Sequence, residues 1–177
     1  ADASATDLVV ELLHDERPSV RRAAAWTLRE IGGEVAAVAL LSYTDDPAAE
    51  VREAVAWAFK ELEDARATPR LIELLDDESP QVRRAAAEAL AETGDPRALP
   101  ALKKAVEAGD PTVRTAAVKA IGVVGDPSNA PLLSALSADP DWHVRQAAVR
   151  ALGATADDDS VGVLKVALDD AAEDVRW

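Results

Sequence analysis

The stretch Val82-Arg83-Arg84-Ala85-Ala86-Ala87-Glu88-Ala89-Leu90 decides the fold, because its first two residues recur along the whole chain at a fixed interval. Val-Arg pairs stand 31 residues apart at Val20-Arg21, Val51-Arg52, Val82-Arg83, Val113-Arg114, Val144-Arg145 and Val175-Arg176. An insertion inside any unit would break that interval, so one supersecondary unit is repeated at constant length. The sequence therefore predicts a repeat protein.

The residues that follow each Val-Arg pair have the pattern of an amphipathic helix. In the third unit Val82, Ala86 and Leu90 are four residues apart, which places them on one helical face, and we expect that face to be core. One position is Ala in every complete unit: Ala23, Ala54, Ala85, Ala116 and Ala147. A small residue there predicts close contact between neighbouring helices.

A second apolar pattern precedes each of these segments and predicts another helix. Its most regular column is Val9, Leu40, Leu71, Leu102, Leu133 and Leu164, again 31 residues apart. Signals such as Gly94-Asp95-Pro96 end one helix and start the next. Each unit is therefore predicted to be an αα-hairpin.

Two local expectations follow from the residues that punctuate the units. Pro69, Pro100 and Pro131 fall a few residues into the first helix, where a missing N–H should bend it. Departures from the repeat at Glu63, Ala108 and Ala156 predict turns that differ in detail from the others.

These motifs resemble HEAT repeats, in particular the short HEAT-like repeats first described in phycobilisome lyases. Their units read roughly Gly-Asp-Pro-x-Ala-x-Pro-x-Leu followed by Asp-x-x-Val-Arg-x-x-Ala-Ala-x-Ala-Leu. The resemblance implies an all-α, right-handed α-solenoid of stacked αα-hairpins with a 31-residue period. We expect one domain over residues 1–177, with five complete units and a truncated sixth, and a fragment of a longer chain.

Composition excludes several classes of function. Acidic residues number 33 against 19 Lys and Arg, giving a net charge of −14, which repels phosphate backbones and anionic lipid. We therefore expect neither nucleic acid nor membrane as a partner. No apolar run approaches the roughly 18–20 residues that span a bilayer, so we expect a soluble, cytoplasmic protein. The excess of Asp over Glu and of Arg over Lys is typical of proteins from salt-loving microbes, or of a GC-rich codon bias.

The search for catalytic chemistry finds none. Cys is absent, and the two His, His14 and His143, lie far apart without the paired His-Glu motifs of the di-iron hydroxylases that are built on HEAT repeats. The run Asp157-Asp158-Asp159 is interpreted as a solvated loop that needs no ion. We predict a non-catalytic protein without cofactor or metal.

An Asp column and the Arg column are interpreted as structural. We expect each Asp to cap a helix start and to accept hydrogen bonds from Arg of its own or the adjoining unit, as HEAT-like repeats use these positions. The predicted ladder is Asp15, Arg21, Asp46, Arg52, Asp77, Arg83, Arg114, Asp139, Arg145, Asp170 and Arg176.

The predicted binding surface lies on the second helices, which line the concave face of HEAT-like stacks. Trp26 and Trp57 occupy one outward column of adjoining units and are candidate anchors, since Trp is the residue most enriched in interface hot spots. The polar selectors are Arg22, Arg29, Lys60, Arg84, Lys119 and Arg150, and Trp142 with His143 could extend the strip. A protein or peptide partner follows, unless the two Trp merely pack over their Ala-rich neighbours.

Three further alternatives stay open. A chromophore-lyase-like subunit would bind a tetrapyrrole, and an artificial or consensus-derived repeat protein would have no natural partner. Trp177 should begin a helix that the chain does not complete, leaving Val163, Leu164 and Leu168 without their packing partner. We therefore expect either a longer chain or a partner at this end, with self-association as one possibility.

Overall fold

A computed structural model describes residues 3–155 and 158–176. Its described residues form helices and turns, without a strand. Their contacts divide the chain into two compact units, Ala1–Thr93 and Gly94–Trp177, referred to below as unit 1 and unit 2. One repeat domain over residues 1–177 stays a prediction.

Unit 1 consists of three successive αα-hairpins. Each contains a shorter first helix and a second helix of 14 residues that begins close to a Val-Arg pair. The helices are α1 (Ala3–Leu12), α2 (Pro18–Ile31), α3 (Gly33–Leu41), α4 (Ala49–Leu62), α5 (Thr68–Leu74) and α6 (Pro80–Thr93). A 3-10 segment at Ala65–Ala67 precedes α5.

Unit 2 repeats this organisation. Its helices are α7 (Leu99–Ala105), α8 (Pro111–Val124), α9 (Ala130–Leu136), α10 (Trp142–Thr155) and α11 (Asp158–Ala167). Three 3-10 segments accompany them, at Pro96–Ala98, Pro127–Asn129 and Glu173–Val175. Among the described helices in this part of the chain, α11 is followed only by a 3-10 turn in the place where a second helix would begin.

The core of each unit lies between first and second helices. In unit 1, α4 packs between α2 and α6, and the large side chains Leu28, Phe59 and Leu90 are fully buried. In unit 2, α10 packs against α8 and α9 and buries Leu152. Removing each such side chain from water stabilises the fold by roughly 1.5–3 kcal/mol.

The repeated Ala column faces neighbouring helices wherever a second helix precedes it within the unit. Ala54, Ala85 and Ala147 are buried, whereas Ala23 on the first of these helices is exposed. A larger side chain in a buried position of this column would push the helices apart, because their packing leaves no spare volume.

The prolines of the first helices do not bend them. Pro69, Pro100 and Pro131 lie in the first turn of α5, α7 and α9, where the backbone N–H of any residue lacks a helical partner. The expectation of a bend was wrong because a separate 3-10 segment comes first, so that the α-helix begins only one residue before Pro.

The turn at Glu63 also departs from expectation. Glu63 has φ 49° and ψ 32°, the left-handed conformation that Gly94 (φ 57°) and Gly125 (φ 67°) adopt at the same repeat position. The backbone requirement of the turn therefore overrides the identity of the residue, and Glu63 bears the strain.

Where Ala108 replaces Asp, the turn is capped differently, as predicted. Asp110 accepts a hydrogen bond of 2.8 Å from the Thr112 amide and forms the N-cap of α8. Ala156 and Trp177, whose structural roles were also predicted, lie outside the described residues.

No helix in the described part of the chain is long and apolar enough to cross a membrane.

Candidate functional site

Four arginines of the Val-Arg pairs each clamp a carboxylate 25 residues further along the chain. Arg21 donates to both oxygens of Asp46 at 2.6 and 2.8 Å, and Arg52 donates to Asp77 at 2.7 and 2.9 Å. In unit 2, Arg114 and Arg145 bind Asp139 and Asp170 in the same way. These are bidentate, charge-assisted hydrogen bonds, the strongest class that side chains form.

The same arginines also bind the turn of their own unit. Arg52 donates through Nη1 to the carbonyl of Asp46 at 2.7 Å, and Arg145 donates to the carbonyls of Asp139 and Pro140 at 3.0 and 3.2 Å. Each guanidinium therefore joins the backbone of one turn to the carboxylate of the next. Because Arg carries five donors in a planar fork, Lys could not make this set of bonds.

The Asp side chains cap turns rather than helix starts. Asp46 Oδ1 accepts from the amide of Ala48 at 2.8 Å, and Asp77 Oδ1 accepts from that of Ser79 at 2.8 Å. Helix α4 begins after Ala48, which provides no side-chain cap. The predicted N-cap role is thus corrected to a turn two residues earlier, because the carboxylate is drawn toward the guanidinium.

The environment of these carboxyl groups favours their charged form. Burial raises the pKa of Asp46, but the hydrogen bonds from Arg21 and from the Ala48 amide outweigh it, so the pKa is lowered overall. Asp77 responds in the same way to Arg52 and Ser79. The side-chain bond from Arg145, followed by the Ala172 amide, lowers the pKa of Asp170 to about 2.

Three members of the predicted ladder lack its bidentate pairing. Arg83 donates to the carbonyls of Asp77 and Glu78 at 2.7 and 3.0 Å, and the repeat position that elsewhere supplies a carboxylate is Ala108. Arg176 likewise binds only carbonyls among the described residues. Asp15 is paired with the neighbouring Arg17 instead of a repeat arginine.

In unit 1 the outward surfaces of α2, α4 and α6 form what we call the Trp face, composed of Arg22, Trp26, Arg29, Glu53, Trp57, Lys60, Arg84 and Glu88. Trp57 is its most enclosed member. Lys60 Nζ lies 5.0 Å and Arg84 Cζ 5.7 Å from the ring centre, and both are cation–π distances. Lys60 and Arg84 also reach Glu88, at 3.1 and 3.7 Å.

Trp26 is the more open of the two indoles. Arg29 Cζ stands 4.6 Å from its ring centre and contacts Glu30. The Trp57 indole donates to Glu53 at 3.4 Å, whereas the Trp26 indole has no acceptor among the described residues. Arg22, one turn before Trp26, is exposed and also has no partner there. The Trp face therefore combines a rigid indole with an indole whose N–H is unpaired.

Unit 2 carries no indole in the equivalent column. Lys119 and Arg150 occupy these positions and are exposed. Trp142 packs instead against the cluster of Val149, Ala167 and Val175, and its ring stacks on His143 at 3.7 Å. The structure thus brings Trp26 and Trp57 together with four of the predicted polar selectors, and does not add Trp142 to them.

Glu53 and Glu88 were not predicted as site residues, although they complete the Trp face. A signal was present for Glu53, which precedes Trp57 by four residues and so lies on the same helical surface. No comparable signal existed for Glu88, because its contact with Lys60 joins two helices.

Neither His is placed as a ligand. His14 Nδ1 lies 2.8 Å from the Tyr43 hydroxyl, at the surface, and His143 Nδ1 lies 3.1 Å from Asp141. The described residues contain no group of three or more His, Cys, Asp or Glu that could hold a metal ion. Asp157 and the side chains of Asp158 and Asp159 lie outside the described part of the chain.

The architecture defines an all-helical repeat protein, and comparison with protein families agrees. The model of HEAT repeats matches residues 1–60, 37–112 and 103–177, which together span the chain. The chain belongs to the HEAT repeat family. A sequence search of the curated proteins finds no match.

Solved structures of several repeat proteins are similar. The complex of CpcE and CpcF of phycocyanin lyase from Nostoc sp. PCC7120 has a TM-score of 0.80 at 26% identity, over 97% of this chain and 73% of that one. A designed armadillo repeat protein in complex with the peptide (KR)4 has a TM-score of 0.71 at 25% identity, over 88% and 83%. An engineered protein reaches 0.73 at 22% identity, over 97% and 92%.

Proposed function

We propose that this protein is a non-catalytic scaffold that binds a peptide or protein segment on the Trp face of unit 1. The observation that carries the proposal is the pair Trp26 and Trp57, half-buried at one repeat position and flanked by the cations of Arg29, Lys60 and Arg84. Half-buried indoles supply large apolar contact area with little loss of side-chain entropy on binding.

The contacts around each indole suggest different roles in binding. Trp57 is held by Glu53, Lys60 and Arg84, so it offers a preorganised apolar wall. Trp26 retains an unpaired indole N–H and stands beside the exposed Arg22, so it offers a donor and a cation to a polar group of the ligand. An extended segment with an apolar side chain next to a carbonyl or carboxylate fits this combination.

The comparisons support a protein partner in kind. One similar structure is a designed repeat protein that holds a peptide, and another is a complex of two protein chains. Lys119 and Arg150 of unit 2 are assigned a weaker, purely electrostatic part, because exposed charges contribute little where no apolar contact accompanies them.

The test is selection of peptides from a random displayed library, followed by affinity measurements on the double variant Trp26→Ala plus Trp57→Ala. We expect at least a 30-fold loss, since two anchors of about 1 kcal/mol or more each are removed. The matched control, Lys119→Ala plus Arg150→Ala, should stay within threefold. Equal losses in both variants, or intact binding after removal of the indoles, would mean that the Trp only pack.

A second candidate is a subunit similar in role to the phycocyanin lyase chains, which the structural similarity to that complex favours. The experiment that separates the two is titration of the purified protein with a linear tetrapyrrole. A saturable change in the visible absorption spectrum would favour the lyase-like role, and its absence would leave the scaffold.

A further inference from the structure

The contact between α8 and α10 shows what the second helices demand of each other. A Cβ placed on Gly122 would lie 2.6 Å from the Cβ of Ala151, a distance that no real pair of atoms adopts. Ala151 is buried in that contact. The two helices therefore approach so closely that one offers no side chain and the other only a methyl group.

One repeat later the same surface is present and uncovered. Gly153 on α10 follows Gly122 by 31 residues, yet nothing lies within 4 Å of the Cβ it would carry. Gly153 lines a cavity of about 270 Å³ together with Val149, Arg150, Leu164, Ala167, Leu168 and Val175. We call this cavity the C-terminal groove.

The exposure of two apolar side chains beside it is specific to this position. Leu168 is 59% exposed, although Leu13 and Leu75 at the same repeat position are 0% and 5% exposed. Val161 is 44% exposed, and its equivalent Leu99 is 9% exposed. Both columns are therefore contact surfaces elsewhere in the chain, and here they lack a neighbour.

A basic group without a carboxylate lies beside the groove. Arg145 binds two turn carbonyls and, in addition, both oxygens of Asp170 at 2.7 and 2.9 Å. Arg176, its equivalent, binds only the carbonyls of Asp170 and Ala171, at 3.0 and 3.4 Å, and its guanidinium is exposed. Charge complementarity thus calls for an acidic group at the end of the groove nearest Val175.

We propose that the C-terminal groove binds one amphipathic helix of a partner protein. The helix presents Ala or Gly to Gly153, as Ala151 does to Gly122, and aliphatic side chains to Leu164 and Leu168. It also carries an acidic residue near its end that reaches Arg176. This site is separate from the Trp face and does not depend on the function proposed for it.

A second copy of the chain fits the groove less well than an independent helix. The flank of α2 that carries Ala23 and Thr27 is exposed and could contact Gly153. In that register, however, α1 of the incoming copy takes the place that α11 already occupies. The steric conflict assigns the groove to a partner helix.

The experiment uses as its probe a fluorescently labelled peptide with the sequence of residues 139–155, which contains an acidic turn followed by the Ala-rich helix. Its anisotropy is measured on adding the 177-residue protein. We expect saturable binding that Gly153→Leu weakens at least 20-fold, because the new side chain fills the close-contact position. Arg176→Gln should weaken it about tenfold, the effect of one charge-assisted bond.

The matched control is Gly162→Leu, at a helical glycine of α11 that also has nothing within 4 Å. It should bind the probe within twofold of the original chain. Both Gly→Leu changes favour the helix, so neither variant is expected to unfold. A probe peptide with Ala151→Glu should not bind.

Two results would overturn the proposal. The first is the absence of saturable binding, or equal affinity of the Gly153→Leu variant for the probe. The second is a dimer of the chain in sedimentation equilibrium that Gly153→Leu dissociates, because the occupant would then be a second copy.

Discussion

Units 1 and 2 share one hairpin design and differ in the surfaces that it presents. Each contains two bidentate pairs, Arg21–Asp46 and Arg52–Asp77 in unit 1, and Arg114–Asp139 and Arg145–Asp170 in unit 2. Outward from this frame, unit 1 carries two indoles under cations, whereas unit 2 carries isolated charges and an uncovered groove.

The difference teaches that the repeated positions and the variable positions have separate tasks. Val, Arg, Asp and Ala recur because every hairpin must bury the same contacts and join its turn to the next one. Trp26, Trp57 and Gly153 vary against this constant background, so the surfaces they create can differ without a change of fold. The following experiments test how far the two units are equivalent in stability.

Acid should have the largest effect, because it reaches all of these pairs. The pKa values of Asp46, Asp77 and Asp170 are lower in the folded chain than in the unfolded one, the last at about 2, so the unfolded state binds more protons. Their stabilisation is complete above about pH 5 and is lost as pH falls toward 2. Urea unfolding midpoints from pH 7 to pH 2 should show this decline.

Amide hydrogen exchange along the same pH series would test the equivalence of the units. Each has two pairs, so protection in α4 and in α10 should fall together. Loss of protection in one unit well above the pH at which the other responds would contradict it.

Truncation of one clamping arginine should come next. Arg52→Ala leaves the carboxylate of Asp77, whose side chain is 8% exposed, without its main partner, and we expect a loss of about 3 kcal/mol in the free energy of unfolding. Arg145→Ala should cost a similar amount in unit 2. The measurement is chemical denaturation monitored by circular dichroism.

Arg83→Ala is the control for this series. Arg83 binds carbonyls but no carboxylate among the described residues, so its loss should cost about 1 kcal/mol. A loss at Arg83 as large as that at Arg52 would show that the carbonyl bonds, rather than the carboxylate pairs, stabilise the turns.

A smaller effect is expected at Asn129 in unit 2, where a polar side chain replaces the buried Ala67 and Ala98 of the same column. Asn129 is 1% exposed, and neither amide atom has a hydrogen-bond partner among the described residues. Asn129→Ala should raise the free energy of unfolding by about 1–2 kcal/mol, since an unsatisfied buried amide is removed.

The reverse change, Ala98→Asn, provides the matched control for that prediction. It should lower the melting temperature by a few degrees, because one kcal/mol corresponds to roughly 2–4 °C for a chain of this size. Opposite signs for the two substitutions would be required, and a stabilising Ala98→Asn would refute the explanation.

The smallest predicted effect distinguishes the turn of unit 1 from that of unit 2. Glu63 adopts a left-handed conformation that Gly125 occupies without strain. Glu63→Gly should therefore stabilise the chain by about 0.5–1 kcal/mol, and Gly125→Ala should destabilise it by about 1 kcal/mol. Differential scanning calorimetry of the two variants would reveal a contrary sign at either position.

Much of the fold was predictable because its signals are local and repeated. The Val-Arg interval predicted the hairpins, the apolar columns predicted buried residues such as Leu71 and Leu90, and the charge columns identified the residues that pair. Prediction was wrong for Pro69 and Glu63. There the outcome depends on where a 3-10 segment ends and on how much strain a turn tolerates, and neither has a signature in side-chain periodicity.

The candidate sites were predictable only in part. Helical spacing placed Trp26, Trp57 and most of their cations on one side of the second helices. It did not reveal that Glu88 joins Lys60 and Arg84, or that Trp142 belongs to the cluster of unit 2, since these contacts are made between helices. The Trp face remains a proposal whose test is the indole double variant.

By itself the sequence determined the repeat, its 31-residue length, its two-helix unit and the family, because amphipathic periodicity dictates which faces must leave water. Only the tertiary structure decided which arginines find a carboxylate, which indole keeps an unpaired N–H, and that Gly153 faces open space while Gly122 meets Ala151. The physical reason is distance: periodicity places side chains around one helix axis, whereas pairing and close approach depend on how neighbouring helices pack.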